Sequence, residues 1–178
     1  MADLSFFLNK RHDGFTRMEI LVVIIILGLL AIVPILNFRN AEASRRDTRR
    51  KSDLRQIYTA MEAYFAQNGK YPMASKDGRI LGCTCGVSNP EPCHWRDSTG
   101  GPREFCDINN IVYLKEVFGD PTGITEFCYL SDGNRYQLYA KLELPDDFEA
   151  FPNMQTKECN KIQYNFGVSS PNTAPLDK

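Results

Sequence analysis

The chain has 178 residues, 43% of them hydrophobic, 24% charged and 11% aromatic, and a formal net charge of −1. The length allows one core and excludes a large multidomain enzyme, and the composition excludes a wholly disordered chain. The near-neutral balance speaks against a dedicated nucleic-acid binder, which is strongly basic. Six cysteines in a chain of this size point to an oxidising compartment.

The apolar residues are unevenly spread. Ile20 to Leu36 reads ILVVIIILGLLAIVPIL, 17 residues without a polar or charged side chain. That is the low end of a bilayer span and too uniformly apolar for a surface helix. A buried core helix is the bland alternative, but a small domain has too little interior to surround it. A secretory signal peptide is a sharper rival, because Ala41-Glu42-Ala43 supplies a small-x-small cleavage site. Against it, the run exceeds the usual signal-peptide core of about 7–15 residues, and Glu19 abuts its start.

The residues before the run carry more. Gly14-Phe15-Thr16-Arg17-Met18-Glu19 leads directly into it, with Lys10 and Arg11 upstream. This resembles the type III signal of type IV pilins and type II secretion pseudopilins. The resemblance implies a basic leader, 1–14, removed by prepilin peptidase between Gly14 and Phe15, then N-methylation of Phe15. Arg17 departs from the family, which has an apolar residue there; at the headgroup level a long basic side chain snorkels. The resemblance also implies that Glu19, fifth in the mature chain, pairs with the N-terminal ammonium of a neighbouring subunit's Phe15. A lone carboxylate at a bilayer edge is costly, so such a pair would set register in the polymer. The plainer alternative makes Glu19 a first-turn residue favoured by the helix dipole.

Within the run, Gly28 adds backbone freedom and Pro34 leaves the Leu30 carbonyl without its helical donor. Residues 28–34 are therefore the expected hinge, since pilin stalks resembling this one can melt locally on assembly. Further on, Leu54, Ile57, Tyr58, Met61 and Phe65 form a helical stripe, and Asn68-Gly69 with Pro72 reads as a stop. A helix over Phe15–Asn68 would have 54 residues and a length of about 80 Å. The predicted divisions are the leader 1–14, a transmembrane half 15–38, an amphipathic half 39–68 and a head 69–178.

Residues 39–55 carry seven basic and three acidic side chains, net +4, while 56–178 is net −5. A basic cluster after the span opposes the export of the C-terminal side by charge bias alone; the cysteines and the signal require that export. Nucleic acid or anionic lipid would suit the cluster, but a solvated face meeting acidic neighbours in a polymer is the simpler reading.

In the head, 70–110 reads as a long Gly-, Pro-, Ser- and Cys-rich loop that buries little apolar surface. Residues 111–118 suggest a short helix. Glu126–Leu130 and Arg135–Leu144 read as strands about the turn Ser131-Asp132-Gly133-Asn134, and 161–168 as a last strand. Alternation puts Tyr136, Leu138, Ala140, Leu142 and Leu144 on one face of the second strand and Tyr139 on the other. The expected class is α+β: a pilin-like lollipop with a long N-terminal helix packed on a small antiparallel sheet over 126–168, plus a disulfide-rich loop. Lys70-Tyr71-Pro72 and Asp120-Pro121 also resemble the major pseudopilins, strongly over 14–72 and weakly over 120–168. Those proteins carry a calcium site in a late loop. Asp132, Asp146 and Asp147 do not reproduce its acidic pattern, so no metal is expected.

The cysteines suggest disulfides: Cys128 with Cys159, and Cys83, Cys85, Cys93 and Cys106 paired within the loop in an order left open. Zinc on Cys83, Cys85, Cys93, His94 and Cys106 is the rival, though Cys-x-Cys is a poor zinc spacing. No catalytic set is visible; His94 beside cysteines is weak support for a nucleophile pair, and no glycine loop for phosphate is present. The reading is a structural filament subunit without cofactor, not an enzyme. Its expected partners are copies of itself, prepilin peptidase, an inner-membrane assembly platform and minor pilins or pseudopilins; nucleic acid is not required. It would cross the inner membrane once, N-terminus in the cytoplasm and head outside, before joining an extracytoplasmic filament. The alternative is an exported disulfide-rich binding protein or enzyme, freed after Ala43.

Overall fold

The computed structural model of the chain describes residues 14–96, 100–144, 146–152 and 155–177, and for residues 30–39 the backbone alone. The leader residues 1–13, with Lys10 and Arg11, lie outside the described residues. The element order is α1 (Arg17–Asn68), β1 (Phe105–Cys106), β2 (Val112–Leu114), β3 (Cys128–Ser131), β4 (Tyr136–Ala140), β5 (Lys157–Cys159), β6 (Ile162–Tyr164) and β7 (Phe166–Ser169). The class is α+β, with helix against small antiparallel sheets and three disulfides. The chain divides into two compact units, up to Ala41 and from Glu42 onward.

In the second unit the stripe of α1 does the packing. Leu54, Ile57 and Met61 are fully buried, Ala60 joins them, and Tyr58 is partly covered. Phe65 remains 38% exposed and stacks on Tyr71, ring centroids 4.6 Å apart. The helix ends where Gly69 takes φ +69°, its N–H donating to the Phe65 carbonyl at 2.7 Å; a side chain is strained in that left-handed conformation.

The main sheet has the order β3-β4-β7, antiparallel throughout. Both faces of β4 are covered. Tyr136, Leu138 and Ala140 join the core that α1 seals. Tyr139, expected on the outer face, is also fully buried, against Tyr164 and the Cys128–Cys159 pair carried by β3, β5 and β6. Strand alternation assigns residues to a face; it does not say whether another element covers that face. Gly167 lies opposite Tyr139 on β7, where an added Cβ would sit 2.8 Å from the Tyr139 ring.

Three other expectations are corrected. The single last strand expected over 161–168 is two, β6 paired with β5 in a separate hairpin and β7 paired with β4 in the main sheet. Residues 111–118 hold no helix: Val112–Leu114 is β2, paired with β1. Eight residues are too few to offset helix nucleation, and Val-Tyr-Leu suits a strand. Residues 70–110 do bury apolar surface, since Tyr71, Ile80, Trp95 and Phe105 are all core. Bridges Ala74↔Ile80 and Leu81↔Pro92, the strand β1 and two disulfides fold this segment onto α1's stripe.

Candidate functional site

The first unit presents an apolar helix surface. Thr16 caps α1: the Glu19 N–H donates to Thr16 Oγ1 at 3.2 Å, so Thr16-x-x-Glu19 has capping-box spacing. The Thr16-x-x-Glu19 spacing is legible in the sequence. Phe15 is 75% exposed and Met18 70%, and from Ile20 to Leu29 every large apolar side chain is at least 46% exposed. A contiguous apolar surface of this extent marks a contact with lipid or protein. Glu19 is the acidic residue of the first turn, and among the described residues its carboxylate forms no ion pair. Gly28 faces open space. Pro34 falls among residues whose side chains lie outside the described residues. Among the described residues, no helix is long and apolar enough to cross a membrane.

The second unit contains a charged seam on α1. The basic stretch 39–55 is not simply a solvated face, because its acidic partners are in its own chain. Arg50, 3% exposed, donates through Nε to Asp120 Oδ2 at 2.5 Å, and through Nη1 to Asp47 Oδ1 at 2.6 Å and Glu143 Oε1 at 2.7 Å. Asp47 also accepts the backbone N–H groups of Glu143 and Leu144 at 2.9–3.0 Å. Arg46 closes on Glu143, Lys51 on Asp147 and Glu149, and Arg55 on Glu149. After β4 the backbone is held by side chains: Asp47 accepts from Glu143 and Leu144, and Asn165 both accepts from and donates to the Leu142 backbone.

The carboxyls respond to this setting. The hydrogen bond from Arg46 lowers Glu143 to about 2, against partial burial and with help from Arg50. Burial pushes Asp120 upward, but Arg50 and the Thr122 donors outweigh it and hold it below the ordinary carboxylate value. Asp147 is lowered in the same way, with Lys51 overcoming burial.

The six cysteines pair as Cys83–Cys93, Cys85–Cys106 and Cys128–Cys159. None is left as a thiolate for zinc or for a nucleophile. The His94 Nε2 lies 3.2 Å from Arg79 Nη1. Asp132 and Asp147 are not brought together: one accepts the backbone N–H groups of its own turn, the other binds Lys51. Among the described residues no group of three His, Cys, Asp or Glu side chains is placed to hold a metal.

The chain is 37% identical over 130 residues to the type II secretion system core protein G of Pectobacterium carotovorum subsp. carotovorum, spanning 72% of each chain. It is 33% identical over 133 residues to the Klebsiella pneumoniae protein of the same name, 72% of this chain and 81% of that one. It belongs to the type II secretion system core protein G family. A shorter likeness, 35% over 63 residues, links 35% of this chain to 29% of the type IV major pilin protein PilA of Myxococcus xanthus. No family model and no solved structure matches the chain. The family's members are structural proteins, and this chain is not an enzyme.

Asp47, Arg50, Asp120 and Glu143 were not singled out from the sequence as one cluster. Asp47 and Arg50 have helical i,i+3 spacing, but Asp120 and Glu143 lie 70 and 93 residues from Arg50.

Proposed function

We propose that this chain is a filament subunit of the pseudopilus type, made as a precursor and matured at its N-terminus. Prepilin peptidase cuts between Gly14 and Phe15, and Phe15 is N-methylated. The apolar stretch Ile20–Leu36 holds the subunit in the inner membrane, N-terminus in the cytoplasm and head outside, and then packs against copies of itself in an extracytoplasmic filament. An assembly platform draws subunits in, and minor pseudopilins share the polymer. Glu19 pairs with the charged amino group of Phe15 in a neighbour, and residues 28–34 loosen during assembly.

One observation carries this reading: a Gly-Phe-x-x-x-Glu signal opens a Thr-capped helix that exposes the apolar side chains of Ile20 to Leu29. Membership of the core protein G family supports secretion rather than a pilus as the filament's setting. The intact mass of the mature protein tests it. A chain beginning at N-methylated Phe15 is expected. One beginning at Ser44 would make it an exported protein and end the proposal.

A further inference from the structure

We infer that the exported head is a substrate of a thiol–disulfide isomerase, which converts mispaired bridges among Cys83, Cys85, Cys93 and Cys106 into the native pattern. The inference rests on the export of the head in the filament reading, and it adds a partner outside the filament.

The two native bridges, Cys83–Cys93 and Cys85–Cys106, cross in chain order. Four cysteines pair in three ways, and the other two join Cys83 to Cys85 or nest Cys85–Cys93 inside Cys83–Cys106. Order of arrival and loop length both disfavour the crossed pattern. A head exported with residue 69 ahead presents Cys83 and Cys85 first and Cys106 last, so early oxidation joins neighbours. For Cys93, pairing with Cys85 closes a shorter loop than pairing with Cys83, and chain entropy favours the shorter loop.

Folding selects the crossed pattern. The Cys93 N–H donates to the Ile80 carbonyl at 2.7 Å and the Cys83 N–H to that of Glu91 at 3.1 Å, around the bridge Leu81↔Pro92. Cys106 comes to Cys85 on β1, where its N–H donates to the Gly82 carbonyl at 2.9 Å and the neighbouring Phe105 is core. Cys83, Cys93 and Cys106 end at most 4% exposed, so exchange must finish before this segment closes on α1. A fully bridged but mispaired head has no thiolate to start that exchange, because all six cysteines are used. An external thiolate supplies it. It attacks Cys85 of Cys85–Cys93, forming a mixed disulfide and freeing Cys93. Cys93 attacks Cys83 of Cys83–Cys106 and frees Cys106. Cys106 then attacks Cys85 and releases the isomerase thiolate. Each step breaks one S–S bond and makes one, with no net oxidation.

The full-length chain is produced in a host that keeps its thiol oxidase but lacks the isomerase. Thiols are trapped with N-ethylmaleimide, and bridges are mapped by partial reduction, stepwise alkylation and fragment-ion sequencing, which separate Cys83 from Cys85. The crossed pattern is expected to fall to roughly one third of its level in the isomerase-bearing host, the share that random closure among three pairings gives. Cys128–Cys159 joins neighbours in cysteine order and is expected in both hosts. Cys85→Ser with Cys106→Ser leaves only such neighbouring pairs, as does Cys83→Ser with Cys93→Ser, and neither double variant is expected to respond to loss of the isomerase. An undiminished crossed pattern without the isomerase, or an equal loss of pairing in both double variants, overturns the inference and leaves the filament reading standing. Six free thiols in the isomerase-bearing host would overturn export of the head as well.

Discussion

At the scale of single residues, Arg50 organises the second unit. Its guanidinium is out of reach of solvent and faces three carboxylates, Asp47, Asp120 and Glu143. A buried charge is tolerable only with partners and good geometry, and losing one partner strands the others. Arg50→Met is therefore expected to destabilise the unit by about 3–5 kcal/mol, read from urea unfolding. Arg50→Lys is expected to recover only part of this, because an ammonium does not reproduce the fork that spans Asp120. Acid acts on the same seam. Glu143, lowered to about 2, and Asp120, also lowered, bind protons more weakly folded than unfolded. Their contribution is complete above the unfolded carboxylate values of about 4 and disappears as pH falls through the depressed folded values. Unfolding midpoints measured downward from pH 5 are expected to fall toward pH 2, and less steeply in Arg50→Met. A midpoint independent of pH in that window would remove the seam from the stability of the fold.

At the scale of elements, the helix and the loop differ in how openly they declare themselves. The stripe Leu54, Ile57 and Met61 and the stop at Gly69 are set by neighbours within a few residues, and they stand where the pattern puts them. Val112–Leu114 is a strand because Phe105–Cys106 lies beside it, and Cys106 is tied to Cys85. Without that partner the segment carries only a weak and ambiguous propensity. The hinge proposed at 28–34 is an element-scale property of α1. Gly28 has no neighbour to brace it, and Pro34 removes one helical donor. Amides around Leu27–Ile35 are expected to exchange rapidly in assembled filaments, and strong protection there would rule the hinge out.

At the scale of the whole molecule, the formal charge of −1 conceals a basic segment and an acidic head. Arg46, Arg50, Lys51 and Arg55 meet Asp120, Glu143, Asp147 and Glu149 within one subunit, so much of this asymmetry is neutralised before any polymer forms. Glu19 stands apart from that network and has no ion-pair partner among the described residues of its own chain. Glu19→Ala is accordingly expected to be cut and methylated normally but to yield few filaments, by mass spectrometry and electron microscopy respectively. Normal filaments from this variant would show that the pairing with a neighbour's Phe15 is dispensable.

The amino-acid sequence by itself determined what depends on short spacing: the apolar run, the capped start of α1 at Thr16, the buried stripe of α1, and the turn 131–134 between two strands. Each follows from residues close enough to meet whatever the rest of the chain does. Only the tertiary structure decided in which of the three ways Cys83, Cys85, Cys93 and Cys106 pair, which carboxylates surround Arg50, and that Tyr139 belongs to a second small core. Those outcomes depend on segments tens of residues apart arriving at one place. Their encounter is specified by the packing of all the elements together, and no local pattern records it.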